Sequence, residues 1–148
     1  MIDISIIIVN FNVREYIINC IQSIQYFTTK DLTFEIIVVD NASKDGSTEY
    51  FENNLPEIKL IKNSENIGFS KAINQGIDVA QGEYLFLLNP DTKLLEDSIN
   101  ILHSFISKQL QIGAIGPKLI GDNGHRQKSF WRRPTLLSTL LSIFHLEF

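Results

Sequence analysis

Two hydrophobic rhythms alternate along the chain. Short runs rich in β-branched or large apolar residues read as strands: "ISIIIV" (4–9), "FEIIVVD" (34–40), "IKLIKN" (58–63), "EYLFLLN" (83–89) and "IGAIGP" (112–117). Two of them are nearly continuous apolar runs, the pattern of strands covered on both faces of a parallel sheet. Between the runs, apolar residues fall three and four apart, as helices require. Ile17, Ile21 and Ile24 do so in a first helix, and Leu95, Ile99, Leu102 and Ile106 in a later one. Strands alternating with helices predict an α/β fold with a parallel, helix-covered sheet and right-handed crossovers.

The fourth run stops abruptly. Leu85 to Leu88 is a buried-strand pattern, and Asn89-Pro90-Asp91-Thr92 ends it, because proline donates no backbone hydrogen bond and disfavours helix in the residue before it. After Pro117 the pattern changes. Asp122-Asn123-Gly124 is a turn signal between two short extended stretches, which predicts a hairpin. From Pro134 onward, Leu136, Leu140, Phe144 and Phe148 recur every fourth residue beside Leu137 and Leu141, which predicts an amphipathic helix. The chain stops inside that apolar pattern and reads as a truncated piece. We expect a domain over residues 1–118, followed over 119–148 by a hairpin and helix that begin an acceptor-side region.

Composition narrows the classes. At 148 residues and 44% hydrophobic, the chain suffices for one ordinary domain with a core. Its net charge of −4 argues against nucleic acid as a partner. The single cysteine, Cys20, excludes an internal disulfide and a cysteine-rich metal cluster, and among apolar helix residues it reads as an inert core thiol. The N-terminus lacks the basic start and cleavage site of a secretory signal, and no apolar stretch approaches the roughly 20 residues that span a bilayer. The chain therefore reads as cytoplasmic.

In open α/β sheets, ligands bind beyond the carboxyl ends of the strands. Those ends carry Asn10-Phe11-Asn12, then Asp40-Asn41-Ala42-Ser43-Lys44-Asp45-Gly46-Ser47, then Asn63-Ser64-Glu65-Asn66-Ile67-Gly68-Phe69, then Asn89-Pro90-Asp91-Thr92. Any one of these is read most plainly as a cap or a turn, and Ser43 and Ser47, near the next helix start, are expected to serve as one or the other. Their coincidence on one rim points instead to a binding cleft.

Four segments, "SIIIVNFN", "EIIVVDNASKDGS", "NIGFSKAINQGI" and "YLFLLNPDT", in this order and spacing, resemble the nucleotide-binding half of the inverting family-two glycosyltransferases, in their rhamnosyltransferase-like branch. The resemblance covers about residues 3–118. It implies a GT-A fold, a Rossmann-like, mostly parallel sheet with helices on both faces, that binds a nucleoside diphosphate sugar. It implies nucleotide contacts from Val9, Asn10, Asn12, Asp40, Asn66, Gly68, Lys71 and Asn89. Asp40 matches the aspartate that accepts from the base, an acceptor suited to the N3–H of uracil or thymine. Gly68 would permit close backbone approach, and the helix start after it favours an anion. Asn74 shares a helical face with Lys71, so both or neither face the cleft.

The family usually places Asp-x-Asp after the fourth strand, to hold a divalent cation that bridges the two phosphates. Here Asn89 replaces the first aspartate, so Asp91 is the expected ligand of Mg²⁺ or Mn²⁺, held weakly with one carboxylate fewer. Inverting transfer also requires a general base, which the family draws from its acceptor half. The acidic residues after position 100 are Asp122, in the expected hairpin turn, and Glu147, so no catalytic base is assigned.

Lys118, Arg126, Lys128, Arg132 and Arg133 form a basic stretch suited to a diphosphate, a lipid-linked acceptor or the inner face of an anionic membrane, or to a solvated loop. His103, His125 and His145 show no metal-ligand spacing. The expected partners are a nucleoside diphosphate sugar, dTDP- or UDP-linked, and a glycan or lipid-linked acceptor of cell-wall or polysaccharide synthesis. A nucleotidyltransferase-like enzyme is the alternative, against which "VNFNVREY" counts because it lacks a phosphate-loop glycine. A non-catalytic nucleotide-sugar-binding module is the other.

Overall fold

The computed structural model describes residues 1–28, 31–121 and 123–127. It divides into two compact units, Met1–Ile112 and Gly113–Phe148. In the first, the elements run β1 (Ile2–Asn10), α1 (Arg14–Phe27), β2 (Phe34–Asp40), α2 (Ser47–Asn54), β3 (Lys59–Lys62), α3 (Phe69–Val79), β4 (Gly82–Leu88) and α4 (Ser98–Ile106). The four strands are parallel in the order β3-β2-β1-β4. The chain steps from β1 outward to β3, then returns across the sheet to β4. The topological switch therefore lies between β1 and β4, the position where open α/β sheets bind ligands.

The near-continuous apolar runs of β1 and β2 follow from burial on both faces. Ile4, Ile6 and Ile8 of β1 and Ile36 and Val38 of β2 face one way, into a core with Ile17, Cys20, Ile21 and Ile24 of α1, Phe51 of α2 and Ile99 of α4. Ile7, Val9, Ile37 and Val39 face the other way, against Ala72 and Ile73 of α3. Crossovers of one hand that travel in opposite directions land on opposite faces, so α1 and α2 share a face and α3 takes the other. Helix α3 lies close on β1 because Gly76 has no side chain: a Cβ there would stand 2.5 Å from Ile7 Cγ2.

Three expectations need correction. Strand β4 is an edge strand in the described sheet, and its alternate residues Leu85 and Leu87 are about half exposed, so its apolar run does not mean burial on both faces. Residues 112–117 form no strand; their irregular backbone joins no ladder among the described residues. Leu95 lies outside α4 and is exposed, and the segment's core contacts come from Leu94 and Ile99.

In the second unit an antiparallel bridge pairs Ile120 with Arg126. Gly121 N–H donates to the His125 carbonyl at 2.9 Å, and Gln127 N–H to the Leu119 carbonyl at 2.9 Å. Gly124 takes the positive φ of 75° that the turn demands. The expected helix from residue 134 lies outside the described residues. No helix among the described residues is long and apolar enough to cross a membrane.

Candidate nucleotide-binding rim

Because the sheet is parallel, all four carboxyl ends share one edge, in the order Asn63, Asp40, Asn10, Asn89. Asn10 and Asp40 are register partners, and both side chains are buried. The Asn10 amide Nδ2 donates to Asp40 Oδ1 at 2.7 Å, to Ser47 Oγ at 2.7 Å and to Ser43 Oγ at 3.0 Å. Two hydrogens serve three acceptors, so one is shared. Asn10 Oδ1 has no partner among the described residues. Asp40 Oδ2 accepts from the Ser43 N–H at 2.9 Å. Each carboxylate oxygen of Asp40 thus holds one protein hydrogen bond.

The loop after β2 is shaped by side chains of the loop after β1. Asn12, at φ 55°, donates its N–H to Ser43 Oγ at 3.0 Å and accepts from the Lys44 N–H through Oδ1 at 2.7 Å. Ala42 sits at φ 63°, a left-handed conformation that costs a residue with a Cβ. Asp45 Oδ2 accepts from the Arg14 N–H at 2.8 Å, supplying from a distant loop the cap that Val13 cannot give α1. Asp45 Oδ1 accepts from Ser47 Oγ at 2.6 Å and from the Ser47 N–H at 3.1 Å. Burial alone would raise the Asp45 carboxyl, but the bonds from Ser47 and Arg14 outweigh it and hold it below its ordinary value. Neither Ser43 nor Ser47 caps α2, whose N-cap is Gly46; both serines serve the network around Asn10 instead.

The third strand end joins the same edge. The Asn63 N–H donates to the Asp40 carbonyl at 2.9 Å. Its amide Nδ2 donates to Asn41 Oδ1 and to Gln75 Oε1, both at 2.9 Å, while Gln75 Nε2 donates back to Asn63 Oδ1 at 2.9 Å. Asn66 Oδ1 accepts from the Gly68 N–H at 2.9 Å, which fixes the turn into α3, and Gly68 stands at φ 85°. Lys71 and Asn74 are both exposed, and Lys71 makes no ion pair among the described residues. Val9 packs its side chain beneath α3.

At the switch point, the Asn89 carbonyl accepts from the Thr92 hydroxyl at 2.6 Å and the Thr92 N–H at 3.2 Å. The buried Cys20 thiol approaches the same carbonyl at 3.8 Å. Burial pushes that thiol up to about 11; the Thr92 hydroxyl opposes this shift and the Asp91 charge adds to it. The turn leaves Asn89 and Asp91 exposed. No cluster of three His, Cys, Asp or Glu exists among the described residues to hold a metal unaided. One exposed carboxylate still fits Mg²⁺ or Mn²⁺, which take one or two protein carboxylates and complete their shells with substrate phosphates and water.

The sequence sets Asn41, Ala42 and Asp45 on the rim but gives them no individual role, and it does not single out Gln75, one helical turn after Lys71.

A parallel sheet with polar strand ends gathered at its topological switch point defines a Rossmann-like α/β domain. A sequence profile described as glycosyl transferase family 2 matches residues 5–143, and the chain belongs to that family. It is 32% identical over 114 residues to an abequosyltransferase, RfbV, of Salmonella typhimurium, covering 74% of this chain and 34% of that protein. It is 34% identical over 108 residues to a PGL/p-HBAD biosynthesis glycosyltransferase of Mycobacterium tuberculosis, covering 70% of this chain and 41% of the relative. The chain thus spans a third to two-fifths of these relatives. Among solved structures it shares its fold with Staphylococcus aureus TarS, whose residues 1–349 were crystallised with UDP-GlcNAc. The TM-score is 0.65 at 23% identity, over 72% of this chain and 32% of that 1–349 fragment.

Proposed function

We propose that this chain is the donor-binding half of an inverting glycosyltransferase of the rhamnosyltransferase-like kind. Its donor is a UDP- or dTDP-linked sugar, and its acceptor a glycan or a lipid-linked saccharide at the inner face of the membrane. The observation that carries this reading is the buried Asn10–Asp40 pair at the ends of β1 and β2. It presents a preorganised acceptor at the edge where the family domain's ligands are expected. The TarS complex with UDP-GlcNAc supports the same ligand class.

Asp40, held on one side by Asn10 and on the other by the Ser43 N–H, accepts from the imide N–H of the base without needing to reorganise. The turn at Asn66–Gly68 and the first turn of α3, with Lys71, close over the base and ribose. Asp91 would hold a divalent cation, whose chemistry is to neutralise the departing diphosphate. Asn89 offers a neutral oxygen beside it. The general base is assigned to polypeptide outside these residues. Calorimetry with UDP, dTDP and GDP, with and without Mn²⁺, tests the reading: UDP or dTDP should bind and GDP should not. Equal or absent binding of all three would overturn it.

A further inference from the structure

The apolar face of α3 sets how closely the helix approaches the sheet. Ala72, Ile73 and Gly76 lie against β1 and β2. Apolar contact is non-directional, however, and leaves a helix free to slide or rotate slightly on a smooth sheet. Paired planar amides are directional. Asn63 spends both hydrogens of Nδ2, on Asn41 and Gln75, while its Oδ1 accepts from Gln75 in return. Its own N–H is fastened to the carbonyl of Asp40. A chain of bonds thus runs from Asp40 through Asn63 to Gln75, one turn beyond Lys71 on the same helix face.

We propose that Asn63 and Gln75 are positioning residues of the nucleotide site. Their reciprocal amides lock the start of α3, and with it the Gly68 turn and Lys71, in register with Asp40. The inference rests on the nucleotide-site reading. Its physical content is that base and ribose contacts, shared between Asp40 and the α3 start, weaken when the lock is lost. Phosphate contacts at Asp91, on the opposite side of β1, do not.

The test measures binding of uridine and of Mn²⁺-pyrophosphate to the 148-residue chain by calorimetry, with circular dichroism to establish folding. Gln75→Met keeps length and helix propensity and removes both amide bonds. Gln75→Glu keeps the acceptor for Asn63 Nδ2 and loses the donor. Loss of two hydrogen bonds should weaken uridine binding roughly five- to twentyfold for Gln75→Met, and less for Gln75→Glu. Pyrophosphate affinity should stay within about twofold. In a cycle with Asn63→Leu, the double variant should lose less than the two single losses multiplied, because both remove the same lock. Folded variants that bind uridine like the parent would overturn the inference, as would equal losses for uridine and pyrophosphate, which mark general destabilisation. A parent that binds neither UDP nor uridine would overturn the nucleotide-site reading itself.

Discussion

Asn10 Nδ2 and Asp40 Oδ1 stand 2.7 Å apart, both side chains buried, at register-paired ends of the two central strands. The bond has two consequences, since it fixes Asp40 for a ligand and also ties the β2–α2 loop to β1. Substitutions at Asp40 therefore separate by type. Asp40→Asn keeps the shape but must set its amide nitrogen against either Asn10 Nδ2 or the Ser43 N–H, so nucleotide affinity should fall by about 1–3 kcal/mol in a folded protein, with a smaller loss of stability than truncation brings. Asp40→Ala should lose the same affinity and also stability, because buried donors lose their partner. Calorimetry paired with thermal melts separates the two effects; a folded Asp40→Asn that binds UDP like the parent sinks the base assignment.

Asp91 is exposed, and its carboxylate makes no ion pair among the described residues. Asp91→Asn should abolish the Mn²⁺-dependent tightening of UDP binding and leave uridine binding unchanged. Asn89→Asp should strengthen the Mn²⁺ effect, since cation affinity rises with ligand charge. UDP affinity titrated against Mn²⁺ for the three proteins decides it: superimposable curves would reduce the segment to a turn.

Ala42 holds φ at 63° with a Cβ. Ala42→Gly should stabilise the chain by about 0.5–1 kcal/mol, the relief of left-handed strain less the added entropy of the unfolded glycine. A melting temperature below that of the parent would show that the strain is offset elsewhere.

The Asp45 carboxyl is held below its ordinary value of 3.8. A depressed carboxyl contributes stability that is present above the unfolded value and is lost as pH falls through the folded one. Denaturant unfolding should therefore show the parent more stable than Asp45→Asn near neutrality. The gap should close below about pH 4. A gap independent of pH would mean that the bonds from Ser47 and Arg14 contribute no charge-dependent stability.

Cys20 is buried, and its thiol is pushed up to about 11. It should resist iodoacetamide at pH 8 in the folded chain and react at once in denaturant, because the thiolate is the nucleophile. Rapid labelling of the native protein would contradict the core packing of α1.

Much of the architecture was legible from period alone. The runs at 4–9 and 34–40 announced strands covered on both faces, and Ile17, Ile21 and Ile24 marked the buried stripe of α1. Period failed where context decides. Leu85 and Leu87 look like core in the sequence, yet β4 stands at the edge of the described sheet with that face half exposed. "IGAIGP" has strand composition and no neighbouring strand to pair with among the described residues.

The rim divides in the same way. Strand ends that carry Asn, Asp and Ser are written in the chain, because an apolar run must stop where its backbone meets polar partners. Which of those groups touch is a different matter. Asn10 meets Ser43 and Ser47, Arg14 is capped by Asp45, and Asn63 meets Gln75 only after β1, β2 and α3 have been stacked. Hydrophobic pattern is local, with one residue's burial predicted by its neighbours three or four places away. Hydrogen-bond pairing across strands depends on register and helix placement between residues ten to forty apart, and only the assembled sheet supplies those distances.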